Sequence, residues 1–360
     1  MKKRYKIPLI IICIMILLNV LARFCRPFAD FYTGNIFPYI SSAISFATGI
    51  FPFSLGEMLT LCAVILVIAG IPLLLILLIF RKGKRRKTAA FAGTLALWIL
   101  CYVTTTETMN CFIMYQCTPM TERYFPDAHE HTDDEIIGLY GMLIEKCNEL
   151  SEQVPRDEHD RFVLTCDFQI EAKKAMKRAG ETYPQLRGYY PDAKPIQFSY
   201  FMSQTYTSGI YLPYTIEANY NDDMIRTNLP FTVCHELSHL KGFIQEDEAN
   251  FLAYIAATGS DNVEFRYAGY LEALEYVEDA MNKNEINTGF YISDKVRKDW
   301  FRFLPENYWE ENAEKEIIPT EAVSEASETF LDTNIKMNGR EEGIRTYSLV
   351  VQLLLDYYYP

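Results

Sequence analysis

His235-Glu236-Leu237-Ser238-His239 reads H-E-x-x-H, and two of the five histidines in the chain fall inside it. Residues four apart on a helix lie one above the other, so the two imidazoles share a face and can grip one ion. Zinc accepts imidazole nitrogen readily. Glu236, one position round the helix, can reach a zinc-bound water as general base. The motif arises by chance on surface helices too, so its setting decides its weight. Here Asn228 is placed to cap a helix and Pro230 suits its first turn. Phe231, Val233, Cys234, Leu237 and Leu240 supply an apolar side, and Gly242 is a natural stop. Cys234 beside His235 reads as a small apolar core residue rather than a ligand.

A catalytic zinc needs a third protein ligand and one open position. Gln245 stands where a metzincin (H-E-x-x-H-x-x-G-x-x-H) carries its third histidine, and Gly242 matches that pattern's glycine. A neutral amide binds zinc poorly, which removes Gln245. Glu246 and Glu248 remain, in the run Glu246-Asp247-Glu248-Ala249-Asn250 that opens a second helix reaching about Thr258. The other histidines offer less. His129 and His131 in Asp127–His131 have no evident third ligand and read as a solvated acidic loop, and His159 reads as a surface residue.

These residues need a scaffold, and the sequence divides it in two. The chain is 49% hydrophobic and 22% charged with a net charge of −13. Ile7–Ala22, Met58–Phe80 and Thr88–Thr106 are uncharged runs. Stretches of roughly 18 or more such residues span a bilayer. The expectation is a transmembrane anchor over 1–108, with spans at about 7–24, 58–80 and 88–106. Leu21-Ala22-Arg23-Phe24-Cys25 lacks the small residues of a cleavage site, so the first span reads as an uncleaved anchor. Basic residues before it and in Arg81–Lys87 place the N-terminus in the cytoplasm and residues 109–360 outside. Residues 1–108 then carry +9 and the remainder −22, and a polyanionic outer domain argues against nucleic acid as a partner. Pro27–Ser54, aromatic and broken by Pro27, Gly34, Pro38, Gly49 and Pro52, reads as an interfacial or re-entrant loop.

Beyond a short exit over Met109–Met120, periodicity predicts helices over 133–153, 167–183, 262–282, 294–303, 320–337 and 343–358. Pro195–Phe201 and Gly209–Ile216 alternate as strands, the second demoted to a sheet edge by Pro213. Of the nine cysteines, Cys111 and Cys117 are the pair placed to bridge in an oxidising compartment.

The run Glu246-x-x-Ala249-Asn250 resembles the E-x-x-A-D/N element of gluzincins of the CAAX-prenyl-protease and HtpX types. That resemblance makes Glu246 the third zinc ligand, with Asn250 one turn on as its neighbour. From Ser208 to Ala257 the chain resembles a bacterial family of small multi-pass membrane proteins with an H-E-x-x-H zincin-like domain of otherwise unknown function. The implied fold is three N-terminal transmembrane helices followed by a mostly helical α+β zincin-like domain with a small sheet. The implied protein is a membrane-anchored zinc metallopeptidase of the bacterial cell membrane acting on peptide or protein substrates outside the cytoplasm. Tyr206, Tyr211, Tyr214 and Arg266 are candidate helpers at the transition state. The competing expectation is a sensor or scaffold that zinc merely braces, with a fourth ligand such as Glu248 or Cys234. Three spans without a central charge argue against a transporter.

Overall fold

The computed structural model describes residues 3–337 and 349–360. It is mostly helical with one three-stranded sheet, and it divides into two compact units: Met1–Cys117 with Leu212–Glu217, and Thr118–Tyr211 with Ala218–Pro360.

In the first unit α1 (Lys3–Phe24) is followed by α2 (Arg26–Asn35), α3 (Phe37–Thr48), α4 (Leu55–Ile65), α5 (Ile71–Phe80) and α6 (Arg85–Glu107). A π-helical turn at Leu66–Gly70 joins α4 to α5 in one continuous rod. Arg4–Phe24, Leu55–Phe80 and Arg85–Gln116 are each long and apolar enough to cross a membrane. The third runs well beyond the expected limit at 106, through a π turn at Thr108–Phe112 and a 3-10 turn at Met114–Gln116. Pro27–Ser54, expected as an irregular loop, is helical instead. Pro27 and Pro38 fall in the first turns of α2 and α3, where the missing N–H has no partner to lose. Residues 212–217 belong to this unit. The buried Glu217 carboxylate accepts the Leu55 and Gly56 N–H groups at 3.2 and 2.7 Å, and Ser54 accepts from Glu57 at the same helix start. A carboxylate there satisfies orphan donors and faces the positive end of the helix. Asn110 Nδ2 and the Tyr102 hydroxyl donate to the Pro213 and Tyr214 carbonyls. The described cysteines are thiols, and Cys117 Sγ donates to Thr33 Oγ1 at 3.1 Å.

The second unit contains α7 (Met120–Tyr124), α8 (Asp133–Ser151), α9 (Phe168–Thr182), α10 (Ser199–Gln204), α11 (Leu229–His239), α12 (Glu246–Thr258), α13 (Val263–Lys283), α14 (Asp294–Asp299), α15 (Tyr308–Glu311), α16 (Thr320–Met337) and α17 (Leu349–Tyr358). Local chemistry sets their starts. Thr132 and Glu135 form a reciprocal capping box on α8, and Asp167 and Asn262 accept two N–H groups each at the heads of α9 and α13. Helix α14 is shorter than the expected 294–303, because Trp300 turns to an extended conformation at ψ 145° and Phe301 follows at φ +53°. For the helix expected over 343–358, residues 343–348 lie outside the described residues.

Helices α11 and α12 pack on each other and on α9 and α13. The α9 face toward them carries Ala172, Ala175 and Ala179, whose small side chains permit close approach. Phe251 of α12 meets Phe125, Tyr183 and Tyr357 edge-on at 5.9–6.2 Å. Each such pair adds about 0.5–1.5 kcal/mol beyond area burial, which fixes α12 firmly.

The sheet has the order β1-β3-β2, with β1 (Lys194–Ile196), β2 (Gly209–Leu212) and β3 (Glu217–Asn221); β1 runs parallel to β3. The strand expected over Pro195–Phe201 ends at Ile196. Ser199 Oγ bonds the Ile196 carbonyl and accepts the Asp222 N–H, closing a turn into α10. Strand β2 lies at an edge and stops before Pro213. The central strand β3 was not expected, since Glu-Ala-Asn-Tyr-Asn lacks an apolar alternation. It is buried throughout, and Asn219 and Asn221 bond the Ile210 and Thr207 carbonyls through their side chains.

Candidate metal centre

Helix α11 carries His235, Glu236 and His239; α12 carries Glu246 and Asn250. Pro230 lies in the first turn of α11, but Asn228 caps by position only. Its Nδ2 donates to the Arg302 carbonyl at 2.9 Å instead of its oxygen receiving an α11 N–H. Gly242, at φ +90°, turns the chain back after α11 in a conformation that costs glycine little. The reversal brings the Phe243 carbonyl within 2.7 Å of His239 Nδ1 and leads into Glu246 at the head of α12.

The histidine tautomers follow from these partners. A carbonyl can only accept, so His239 Nδ1 carries the proton. His235 Nδ1, 2.7 Å from Asn250 Oδ1, donates in the same way. Both Nε2 atoms are left as the metal-facing nitrogens, and they stand 3.0 Å apart. Two lone pairs at that distance repel unless a proton or cation lies against them. Glu246 supplies the opposite charge, with one oxygen 3.2 Å from His235 Nε2 and the other 3.9 Å from His239 Nε2. Ligands held tetrahedrally about 2.0–2.1 Å from zinc are about 3.3 Å from each other, so the observed spacings fit a metal ion. His235, His239 and Glu246 could therefore hold one.

Glu236 does not join that set. Its carboxylate is buried, 4.0 Å from His235 Nε2, and Oε2 has no hydrogen-bond partner. Gly209 of β2 passes directly against it. A Cβ at that position would lie 2.4 Å from Glu236 Oε1 and 2.7 Å from its Cγ, so the strand can approach this closely only with glycine there. The Tyr211 ring, two residues on, stands 5.7 Å from that of His239.

Burial and mutual charge shift all four groups of the cluster. Burial pulls His235 down, but the hydrogen bond and charge of Glu246, aided by Glu236, lift it to about 9. Burial, then the neighbouring His235 charge, lowers His239 to about 4. Burial raises Glu246, yet its bond to His235 and the charges of both imidazoles take it down to about 2. Glu236 is raised to about 8, chiefly by burial, with His235 opposing and Glu246 adding. Glu246 is 32% exposed while the histidine side chains are 13% and 6% exposed, so solvent reaches the cluster on the Glu246 side.

The other candidates lie elsewhere. Gln245 is buried one residue before α12. Glu248 accepts the Met120 N–H at 2.7 Å. Cys234 is wholly buried and burial pushes its thiol up, away from the thiolate a metal requires. Of the candidate helpers, Tyr211 alone lies beside the cluster. Tyr206 packs at an angle against Phe303 and edge-on to Trp309, Tyr214 bonds Thr60 in the first unit, and Arg266 donates to the Ser260 and Asp261 carbonyls. Two contributors escape the sequence. Gly209 was signalled only as a glycine at a strand start, and the Phe243 carbonyl had no signal. A second group, His129, His131 and Glu135, could also hold a metal ion.

Apolar helices long enough to cross a bilayer, joined in one chain to a helical body bearing a His/His/Glu centre, define a membrane-associated protein with a candidate metal site. The chain belongs to a family of proteins of unknown function, DUF3810, whose profile matches residues 32–355. No curated protein and no solved structure matches it.

Proposed function

We propose that this chain is a membrane-anchored, zinc-dependent metallopeptidase that hydrolyses peptide bonds on the extracytoplasmic side. The observation that carries this reading is the convergence of three ligand side chains beside a buried carboxylate that is not one of them. His235, His239 and Glu246 would hold the ion, with Asn250 and the Phe243 carbonyl fixing the two imidazoles. When bound, zinc would supply Lewis-acid activation of water and of the scissile carbonyl. Glu236 would accept the proton of the attacking water and return it to the leaving amine, a role worth about 10²–10⁴ in rate. Strand β2, at the sheet edge and against Glu236 at Gly209, supports a substrate held in extended form alongside it. Three protein ligands would leave a tetrahedral ion the open position that catalysis needs, whereas a structural brace would recruit a fourth. Glu248 and Cys234, the side chains proposed for that role, are engaged or buried elsewhere.

The basic residues Lys2, Lys3, Arg4 and Lys6 before the first apolar run, with those over 81–87, support the orientation with the second unit outside. The test is Glu236→Gln in the full chain reconstituted in liposomes, assayed on a quenched-fluorescent peptide library. The variant is expected to keep its zinc and lose cleavage at least a hundredfold; undiminished turnover would overturn the reading.

A further inference from the structure

We propose that His129, His131 and Glu135 form a second site for a divalent transition-metal ion of the zinc class, distinct from the α11–α12 cluster. As a sequence, Asp127–His131 lacks a third ligand; the fold supplies one from the first turn of α8. The two imidazole rings stand 4.8 Å apart between centroids, and Glu135 Oε1 is 2.9 Å from His129 Nε2. The other Glu135 oxygen is committed to the capping box, accepting the Thr132 N–H at 2.8 Å, which fixes the carboxylate with Oε1 toward His129.

His131 is the informative member. Its side chain is only 3% exposed, yet Nδ1 has no hydrogen-bond partner and lies 3.6 Å from the cap-bound Glu135 oxygen. A buried ring nitrogen left without a partner keeps its full desolvation penalty unless something occupies the position it faces. The opposite nitrogen explains which tautomer results. His131 Nε2 lies 2.8 Å from Asp356 Oδ1, and the same oxygen accepts Gln352 Nε2 at 2.7 Å. Asp356, itself buried on the last turn of α17, therefore takes the His131 Nε2–H and leaves the Nδ1 lone pair on the Glu135 side, within the group of three possible ligands. A carboxylate behind a histidine whose other nitrogen faces two further donors is the arrangement that orients metal-bound imidazole and raises its basicity. Two nitrogens and one carboxylate oxygen suit zinc and its neighbours rather than calcium or magnesium. His129 is half exposed, so the ion can exchange with solvent. Bound there, it would tie the start of α8 to α17 through Asp356.

The full chain, purified in detergent, is titrated with zinc chloride against a chromophoric chelator. Two equivalents are expected for the wild type and one for His129→Ala, a substitution at an exposed side chain that leaves the fold intact. In a His235→Ala/His239→Ala background one equivalent should remain, and Asp356→Asn should weaken it ten- to a hundredfold. Because this equivalent is read with the α11 histidines removed, its failure is separable from failure of the peptidase reading. Zinc uptake by His129→Ala equal to wild type at every concentration would overturn the site, as would an Asp356→Asn curve that superimposes on its parent.

Discussion

Asn250→Ala isolates the contribution of one hydrogen bond to the centre. The Oδ1 acceptor 2.7 Å from His235 Nδ1 is lost, while both imidazoles and Glu246 remain in place. Alanine is the best helix former, so α12 itself is undisturbed. Two estimates of the cost agree. A buried N–H deprived of its acceptor forfeits about 1–3 kcal/mol. Removal of a partner behind a metal-bound histidine weakens binding about 10–100-fold, or about 1.4–2.8 kcal/mol. The assay is zinc competition on the full chain in detergent, in a His129→Ala background so that the α11–α12 cluster alone is read. The dissociation constant should rise ten- to a hundredfold in Asn250→Ala and hold or fall in Asn250→Asp, which keeps an acceptor and adds charge. An unchanged constant in Asn250→Ala, or equal loss in both variants, would refute the assignment of the His235 tautomer.

Other expectations follow from single contacts. Gly209→Ala places a methyl group 2.4 Å from Glu236 Oε1. Relief to ordinary contact moves the carboxylate or the strand by about 1 Å, a misplacement worth about a hundredfold in rate. Peptide cleavage should fall accordingly while zinc affinity stays at the wild-type value, and a parallel loss of zinc would contradict the division of roles. Glu217→Ala strips the acceptor from the Leu55 and Gly56 N–H groups, so the full chain in detergent should lose about 1–3 kcal/mol, read as a lower melting temperature. An unaltered melt would show that water replaces the carboxylate at no cost.

What the sequence disclosed was what neighbouring residues settle among themselves. The H-E-x-x-H spacing, the helical face of α11, the acidic start of α12 and the three apolar runs each depend on periods of a few residues. The structure gathers His235, His239 and Glu246 because Gly242 reverses the chain within a short loop. Strand β3 was hidden because its buried asparagines are satisfied by partners distant in sequence, such as Ser203 and Thr207, which no local pattern reveals. The helices α2 and α3 were hidden by prolines that break a helix interior but suit a first turn. His131 passed for a solvated loop residue because the carboxylate behind it, Asp356, lies 225 positions away.

The central claim is that the centre is built on Glu246 and not on its neighbour two positions on. Metal analysis of the full chain after exposure to zinc and desalting, compared among wild type, Glu246→Ala and Glu248→Ala, tests it most directly. One equivalent should vanish in Glu246→Ala and none in Glu248→Ala. Zinc retained by Glu246→Ala and lost from Glu248→Ala would contradict the account.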